Sequence, residues 1–191
     1  MRSTPTDVLE FWFDPVAEAC WFERNEAFDA RIRQRFGDTW VAAVRGELDD
    51  WAATPEGWLA LLIVLDQFSR NLHRDDARAW AADGQAQALA RAGIARGDDQ
   101  RLLPLQRLFA YLPLEHAEDA ALQRLCVQLF HQLAEQQTGV DRHRFEGFLD
   151  YARRHHDVID TFGRFPHRNA VLGRASTPAE QDYLASPGAG F

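Results

Sequence analysis

Apolar residues recur along this chain at helical spacing, and nowhere do they alternate with polar ones between turn signals. The pattern predicts helices and no sheet. A first short helix runs from about Asp7 to Phe13 and stops at Pro15. Phe28, Ile32 and Phe36 fall at i, i+4 and i+8 and predict a second helix ending at Gly37. Trp40, Val41 and Val44 predict a third, ending near Gly46. Thr54 fits an N-cap and Pro55 the first helical position, where a missing N–H costs nothing. The run Trp58–Leu65 that follows is apolar all round, which predicts the central buried helix. Further helices are expected over Asp83–Arg96 and Asp98–Leu112, with Gly97 between them and Pro104 and Pro113 limiting the second. Others follow over Asp119–Gln136 and over Asp141–Phe162, the latter stopping at Gly163. Thr177-Pro-Ala-Glu180 is a capping box that opens a last short helix. Short connections make neighbouring helices antiparallel αα-hairpins. With no long linker and no internal repeat, one domain over residues 1–191 is expected, with residues 186–191 as a loose tail.

Composition supports a substantial core. Hydrophobic residues make up 46% of 191, with six Trp and thirteen Phe. The formal charge is −8. An acidic surface repels phosphate backbones and anionic lipids, so neither nucleic acid nor membrane is an expected partner. Every basic residue is Arg. Without Lys there is no Schiff-base amine and no Walker-type phosphate loop. Cys20 and Cys126 form no C-x-x-C. Cys126 joins the stripe Leu122, Leu125, Leu129, Phe130 and Leu133 as a small core hydrophobe, usage that suits a reducing compartment. Asp7, Glu10 and Asp14 do not suit a signal peptide, and Trp58–Leu65 falls short of the roughly 20 residues that span a bilayer. A cytoplasmic protein is the expectation.

Three segments carry candidate chemistry. Asp66-Gln67-Phe-Ser-Arg70-Asn71 continues the apolar fourth helix. Asp66 extends the stripe of Leu59 and Leu62, and Arg70 lies four residues on, so a partly buried ion pair is expected. Gln67 and Asn71 form a second polar pair. The group either ties the central helix to its neighbours or lines a site. In Tyr111-Leu-Pro-Leu-Glu115-His116, Pro113 is expected to break or kink a helix. The carboxylate and imidazole beside it suit acid–base work or capping of the freed backbone groups. From Gly163 to Arg174 there are three Arg and no acid. Arg164, Arg168 and Arg174, with His167 and Asn169, form the best anion-binding element, because guanidinium meets carboxylate and phosphate through paired donors. The alternative is that these arginines pair with Asp66 and Glu115 or meet helix C-terminal carbonyls.

His155 fits the stripe Phe145, Phe148, Ala152, Ile159 and Phe162 as a core histidine. His155-His156-Asp157 also fits a His-Asp metal phosphohydrolase, with His73, His116 and Asp182 to complete the set. There is no H-E-x-x-H, no Glu-x-x-His, no G-x-S-x-G and no G-x-G-x-x-G. Ser69 and His73 lie four apart near Asp66, but no oxyanion hole is visible. No cofactor and no metal are implied.

The segments Val8-Leu-Glu-Phe-Trp-Phe13, Gly46-Glu-Leu-Asp-Asp-Trp51 and Leu65-Asp-Gln-Phe-Ser-Arg-Asn71 occur in this order. After them come Tyr111-Leu-Pro-Leu-Glu-His116, Arg164-Phe-Pro-His-Arg-Asn169, Gly173-Arg174 and Ser176-Thr-Pro. Together they resemble the bacterial domain of unknown function family 924, which usually has Pro where this chain has Ser69. The resemblance implies an all-α, tetratricopeptide-like superhelix without the repeat consensus, and it implies no reaction.

The first functional reading is therefore a pocket for a small anionic metabolite. Arg70, Arg164, Arg168 and Arg174 would hold the acid group. Gln67, Asn71 and Asn169 would orient the ligand, and Asp66 would fix Arg70. Glu115, His116 and His167 would transfer protons. The second reading is a helical interaction module with an exposed aromatic groove for a peptide. The third is the metal phosphohydrolase.

Overall fold

The computed structural model describes residues 3–190. They are helical, with no strand among them. They fall into two compact units, one ending at Pro113 and the other beginning at Leu114.

The first unit opens with α1 (Pro5–Trp12) and α2 (Pro15–Glu18), each capped by the residue before its proline. Helix α3 (Glu26–Val44) follows. It is one helix where the pattern predicts two. Gly37 sits in its interior without a left-handed φ, so it costs only about 1 kcal/mol of propensity and ends nothing. Helix α4 (Pro55–Leu62) starts as expected, with Thr54 Oγ1 accepting from the Gly57 amide at 3.1 Å. It continues without a break through a π-helical turn, Ile63–Phe68, into α5 (Ser69–Leu72). All of Trp58 to Phe68 is buried, as the apolar run Trp58–Leu65 requires.

Helix α6 (Asp83–Arg96) ends on Gly97 in the left-handed region, and packs on α4. A Cβ on Gly93 would lie 2.1 Å from Trp58 Cε2, so only glycine lets the indole donate to the Leu89 carbonyl at 2.8 Å. Helix α7 (Pro104–Glu115) keeps Pro113 inside it, so the proline neither limits nor breaks the helix. Around these helices Trp12, Phe36, Phe68 and Phe109 are fully buried, and the Trp21 and Phe109 rings meet edge-on at 4.6 Å. Each fully buried ring contributes about 1.5–3 kcal/mol.

In the second unit, α8 (Ala120–Glu135) and α9 (Gly139–Phe162) pack on each other as a hairpin. Asp119 caps α8, accepting from the Ala121 and Leu122 amides. Gly163, with a φ of 68°, ends α9 and turns the chain into a loop. That loop includes a short 3-10 turn, Pro166–Arg168, before α10 (Pro178–Leu184). Val158, Ile159 and Phe165 form a core beneath it, with Phe162 and Tyr183 packed against them. Residues 186–190 turn back: the Gly190 amide donates to Tyr183 Oη at 3.4 Å, and Gly190 lies against His167.

Among the described residues no helix is long and apolar enough to cross a membrane.

Candidate functional site

The π turn sets the geometry of the Asp66 segment. A π turn inserts an extra residue into a helix and is enriched at functional sites. Asp66 is 1% exposed, and its Oδ2 accepts from Gln67 Nε2 at 2.6 Å. Arg70 Nη1 donates to the Asp66 carbonyl at 2.7 Å and lies 3.1 Å from Asp66 Oδ1. Arg70 Nη2 donates to Asp83, in the first turn of α6, at 3.2 Å. Burial alone would lower the Arg70 pKa, but the two carboxylates outweigh it and raise it. The expected Asp66–Arg70 pair is present. Gln67 and Asn71, however, do not pair with each other. Asn71 Nδ2 donates to Asp29 Oδ1 on α3 at 2.7 Å, and Arg74 also binds that carboxylate. These bonds tie α5 and the π turn to α3 and α6.

The second unit gathers the remaining expected residues. Glu115, the last residue of α7, is 2% exposed. His155, on α9, is 5% exposed, and its Nδ1 lies 3.0 Å from the Tyr151 carbonyl and 3.5 Å from Glu115 Oε1. A carbonyl only accepts, so Nδ1 carries the proton. Burial, with His116, His167 and Arg168 nearby, pushes His155 down to about 3. The His116 ring lies 6.2 Å from that of His155. Burial and Arg168 likewise push His167 down to about 4, and its ring lies 5.6 Å from that of Phe165. The Arg168 guanidinium sits 4.4 Å over the Phe165 ring, and its Nη2 donates to the His116 carbonyl at 3.0 Å. Cation–π stacking of this kind favours a desolvated guanidinium. Three ionisable groups, His155, His167 and Arg168, thus flank one buried phenyl ring, and Glu115 and His116 stand beside His155.

The other two arginines of the loop are held by acids that the local reading of the loop did not pair with them. Arg164 grips Glu180 through Nε at 2.6 Å and Nη2 at 2.8 Å. Arg174 grips Glu118 through Nη1 at 2.6 Å and Nη2 at 2.8 Å. Glu118 and Arg174 are 56 positions apart, so no local spacing signals the pair. Asn169 accepts from Arg174 Nε at 2.9 Å and donates to Ser176 Oγ at 3.0 Å, so it organises the loop. Gln123, fully buried on α8, donates to the Glu115 and Ala117 carbonyls at 2.6 and 2.8 Å. It satisfies the end of α7, a task the local pattern assigns to Glu115 or His116.

At neutral pH the His155 and His167 rings are neutral. Each offers one donor and one acceptor, and neither is a strong base. The arrangement suits hydrogen bonding to a polar ligand better than proton relay. Among the described residues no group of three or more His, Cys, Asp and Glu is placed to hold a metal. The phosphohydrolase reading thus gains no ligand set, and His156 faces Asp157 at 3.5 Å. The peptide-groove reading expects a run of exposed aromatics. The large exposed ones among the described residues are Phe22 and Tyr151, in different units.

A family model described as bacterial protein of unknown function (DUF924) matches residues 8–188. A solved structure of a protein of unknown function from Agrobacterium tumefaciens is similar, at 40% identity and a TM-score of 0.84, with 95% of this chain and 96% of that one covered. No curated protein matches the chain.

Proposed function

We propose that this chain, which belongs to the bacterial family of unknown function DUF924, binds a small molecule bearing a carboxylate or phosphate. The site of this reading lies in the second unit, around His116, His155, His167 and Arg168. One observation carries it: two imidazoles and a guanidinium crowd a single phenyl ring, Phe165, and the inner imidazole, His155, meets Glu115 and the His116 ring in turn. Burying that many ionisable groups together is costly, and such clusters concentrate at functional sites.

In this reading Arg168 supplies the charge and the neutral imidazoles supply directional hydrogen-bonding groups, His155 as an acceptor through Nε2. Glu115 and His116 are the groups left for any proton transfer. Asp66, Gln67, Arg70 and Asn71 act as structural ties, because Arg70 is engaged by two carboxylates and Asn71 by a third. Arg164, gripped by Glu180, holds the loop in shape. The protein works in a reducing compartment, which accords with Cys20 and Cys126 both standing outside any disulfide.

The test is a panel of small carboxylates and phosphate esters, screened by thermal shift and followed by calorimetry. Binding should weaken at least tenfold in Arg168→Met, and in His167→Gln at the less buried edge of the cluster. If nothing in the panel binds, or both variants keep affinity within twofold, the reading fails.

A further inference from the structure

The Arg174–Glu118 contact has the form of a ligand site rather than of an ordinary surface ion pair. Glu118 Oε1 accepts from the Phe165 amide at 2.8 Å and from Arg174 Nη2 at 2.8 Å, while Oε2 accepts from Arg174 Nη1 at 2.6 Å. A guanidinium fork completed by a backbone N–H can receive a carboxylate from outside the chain as well as from within it. The receiving side is rigid. Arg174 Nε donates to Asn169 Oδ1 at 2.9 Å, and Nη2 donates also to the Phe165 carbonyl at 3.1 Å. The Arg174 amide donates to the Asn169 carbonyl at 2.8 Å. Arg174 is thus aimed by its own loop and does not need Glu118 to aim it.

The delivering side has fewer other commitments. Glu118 lies on the short link between α7 and α8, outside both helices, and its side chain is 26% exposed. Rotating that side chain outward breaks no helix. Burial would raise its pKa, but Arg174 and the Phe165 amide outweigh it and hold the carboxyl below its ordinary value. It is therefore a charged occupant at neutral pH. Glu180 makes an instructive contrast. It is buried, it accepts from the Thr177 amide at 2.7 Å as part of a capping box, and it also receives the Arg164 fork. Removing it would cost α10 its capping box.

We infer that Arg174 and the Phe165 amide form a cradle for a ligand carboxylate, and that Glu118 is its internal occupant, displaced when the ligand binds. The inference rests on the proposed binding role and adds the ligand class, a carboxylic acid, because the cradle already holds a carboxylate. Phe165 is also the ring that Arg168 and His155 flank, so the ligand's acid group would anchor next to the imidazole cluster.

The test is chemical rescue with sodium acetate. Glu118→Ala should melt at a lower temperature than wild type and be restored saturably by acetate, beyond sodium chloride at equal ionic strength. Half-effect is expected at about 1–10 mM, the range for a few-atom ligand. At ten times that concentration the rise should be about 3–6 °C. Wild type, with its cradle filled, should respond to acetate no more than to chloride, and Glu118→Ala with Arg174→Ala should lose the response. Glu118→Gln keeps the side-chain shape and serves if the alanine variant does not fold. Its weaker neutral contact should also yield to acetate. Equal responses to acetate and chloride in whichever single variant folds would overturn the inference, as would an acetate response that survives loss of Arg174. That result would leave the wider reading standing if panel ligands still bind through Arg168. Rescue by acetate without any panel ligand would do the reverse.

Discussion

Two neutral imidazoles largely shielded from water make the second unit sensitive to mild acid, and the size of the effect follows from their surroundings. A histidine titrates near 6.5 when unfolded. In the folded protein burial holds His155 at about 3 and His167 at about 4. As pH falls through 6.5 the unfolded chain takes up protons that the folded chain refuses, so stability is full above about pH 7.5 and declines below it. Each group costs about 1.4 kcal/mol per pH unit once the unfolded form is protonated. Between pH 7 and pH 5 the loss at His155, which is almost fully buried, is about 2 kcal/mol. His167 is less buried, so water screening reduces its share to about 1 kcal/mol. The window stays above the range where ordinary carboxylates titrate. His155→Asn keeps an N–H for the Tyr151 carbonyl but does not titrate, and it should recover about 2 kcal/mol of the acid loss. The assay is urea unfolding at both pH values followed by far-UV circular dichroism, with the imidazole resonances titrated by NMR. Tryptophan emission will not serve, because all six tryptophans lie between Trp12 and Trp80, in the first unit. If the variant loses as much as wild type on going to pH 5, or the folded His155 ring titrates above pH 5.5, the account of this cluster is wrong.

The structural reading of the Asp66 segment has a matching test in the first unit, where tryptophan emission does report. Asp66→Ala leaves Arg70 to Asp83 alone beside the π turn. It should lower the unfolding free energy by about 3 kcal/mol, the lower end for breaking a buried pair, and a loss under 1 kcal/mol would show that the network is dispensable. Arg164→Gln should lower the melting temperature through loss of the Glu180 contact yet leave the affinity of any panel ligand within twofold. A tenfold loss of affinity would return Arg164 to the binding site.

The parts of the fold that were legible are those fixed by a few neighbouring residues. Thr54-Pro55, Thr177-Pro-Ala-Glu180, and Gly97 and Gly163 at helix ends are local chemistry, and each stands where the pattern put it. The errors also have local causes. Gly37 and Pro113 carry penalties, but burial along α3 and α7 outweighs a cost that acts on one residue. The π turn leaves no trace in composition, because it changes which carbonyl an amide meets and not which side chains are apolar. The Asp66–Arg70 pair was legible because it is one helical turn long. The partners of Arg164 and Arg174 lie 16 and 56 positions away, beyond any local pattern.

That difference in range alters what the arginine-rich loop means. Read alone, three guanidiniums without an acid form a positive surface for an anion. Glu180 answers the charge of Arg164 and Glu118 that of Arg174, and the local reversal of sign largely disappears. A guanidinium fork filled from within the protein can be a strut or a receptor, and the acid's other commitments decide which. Glu180 is bound into a helix cap and cannot leave without cost, whereas Glu118 belongs to no helix and stands partly in water. Arg164 is therefore a strut. Arg174 has the geometry of a receptor, and it bonds the backbone of Phe165, the residue whose ring His155, His167 and Arg168 flank.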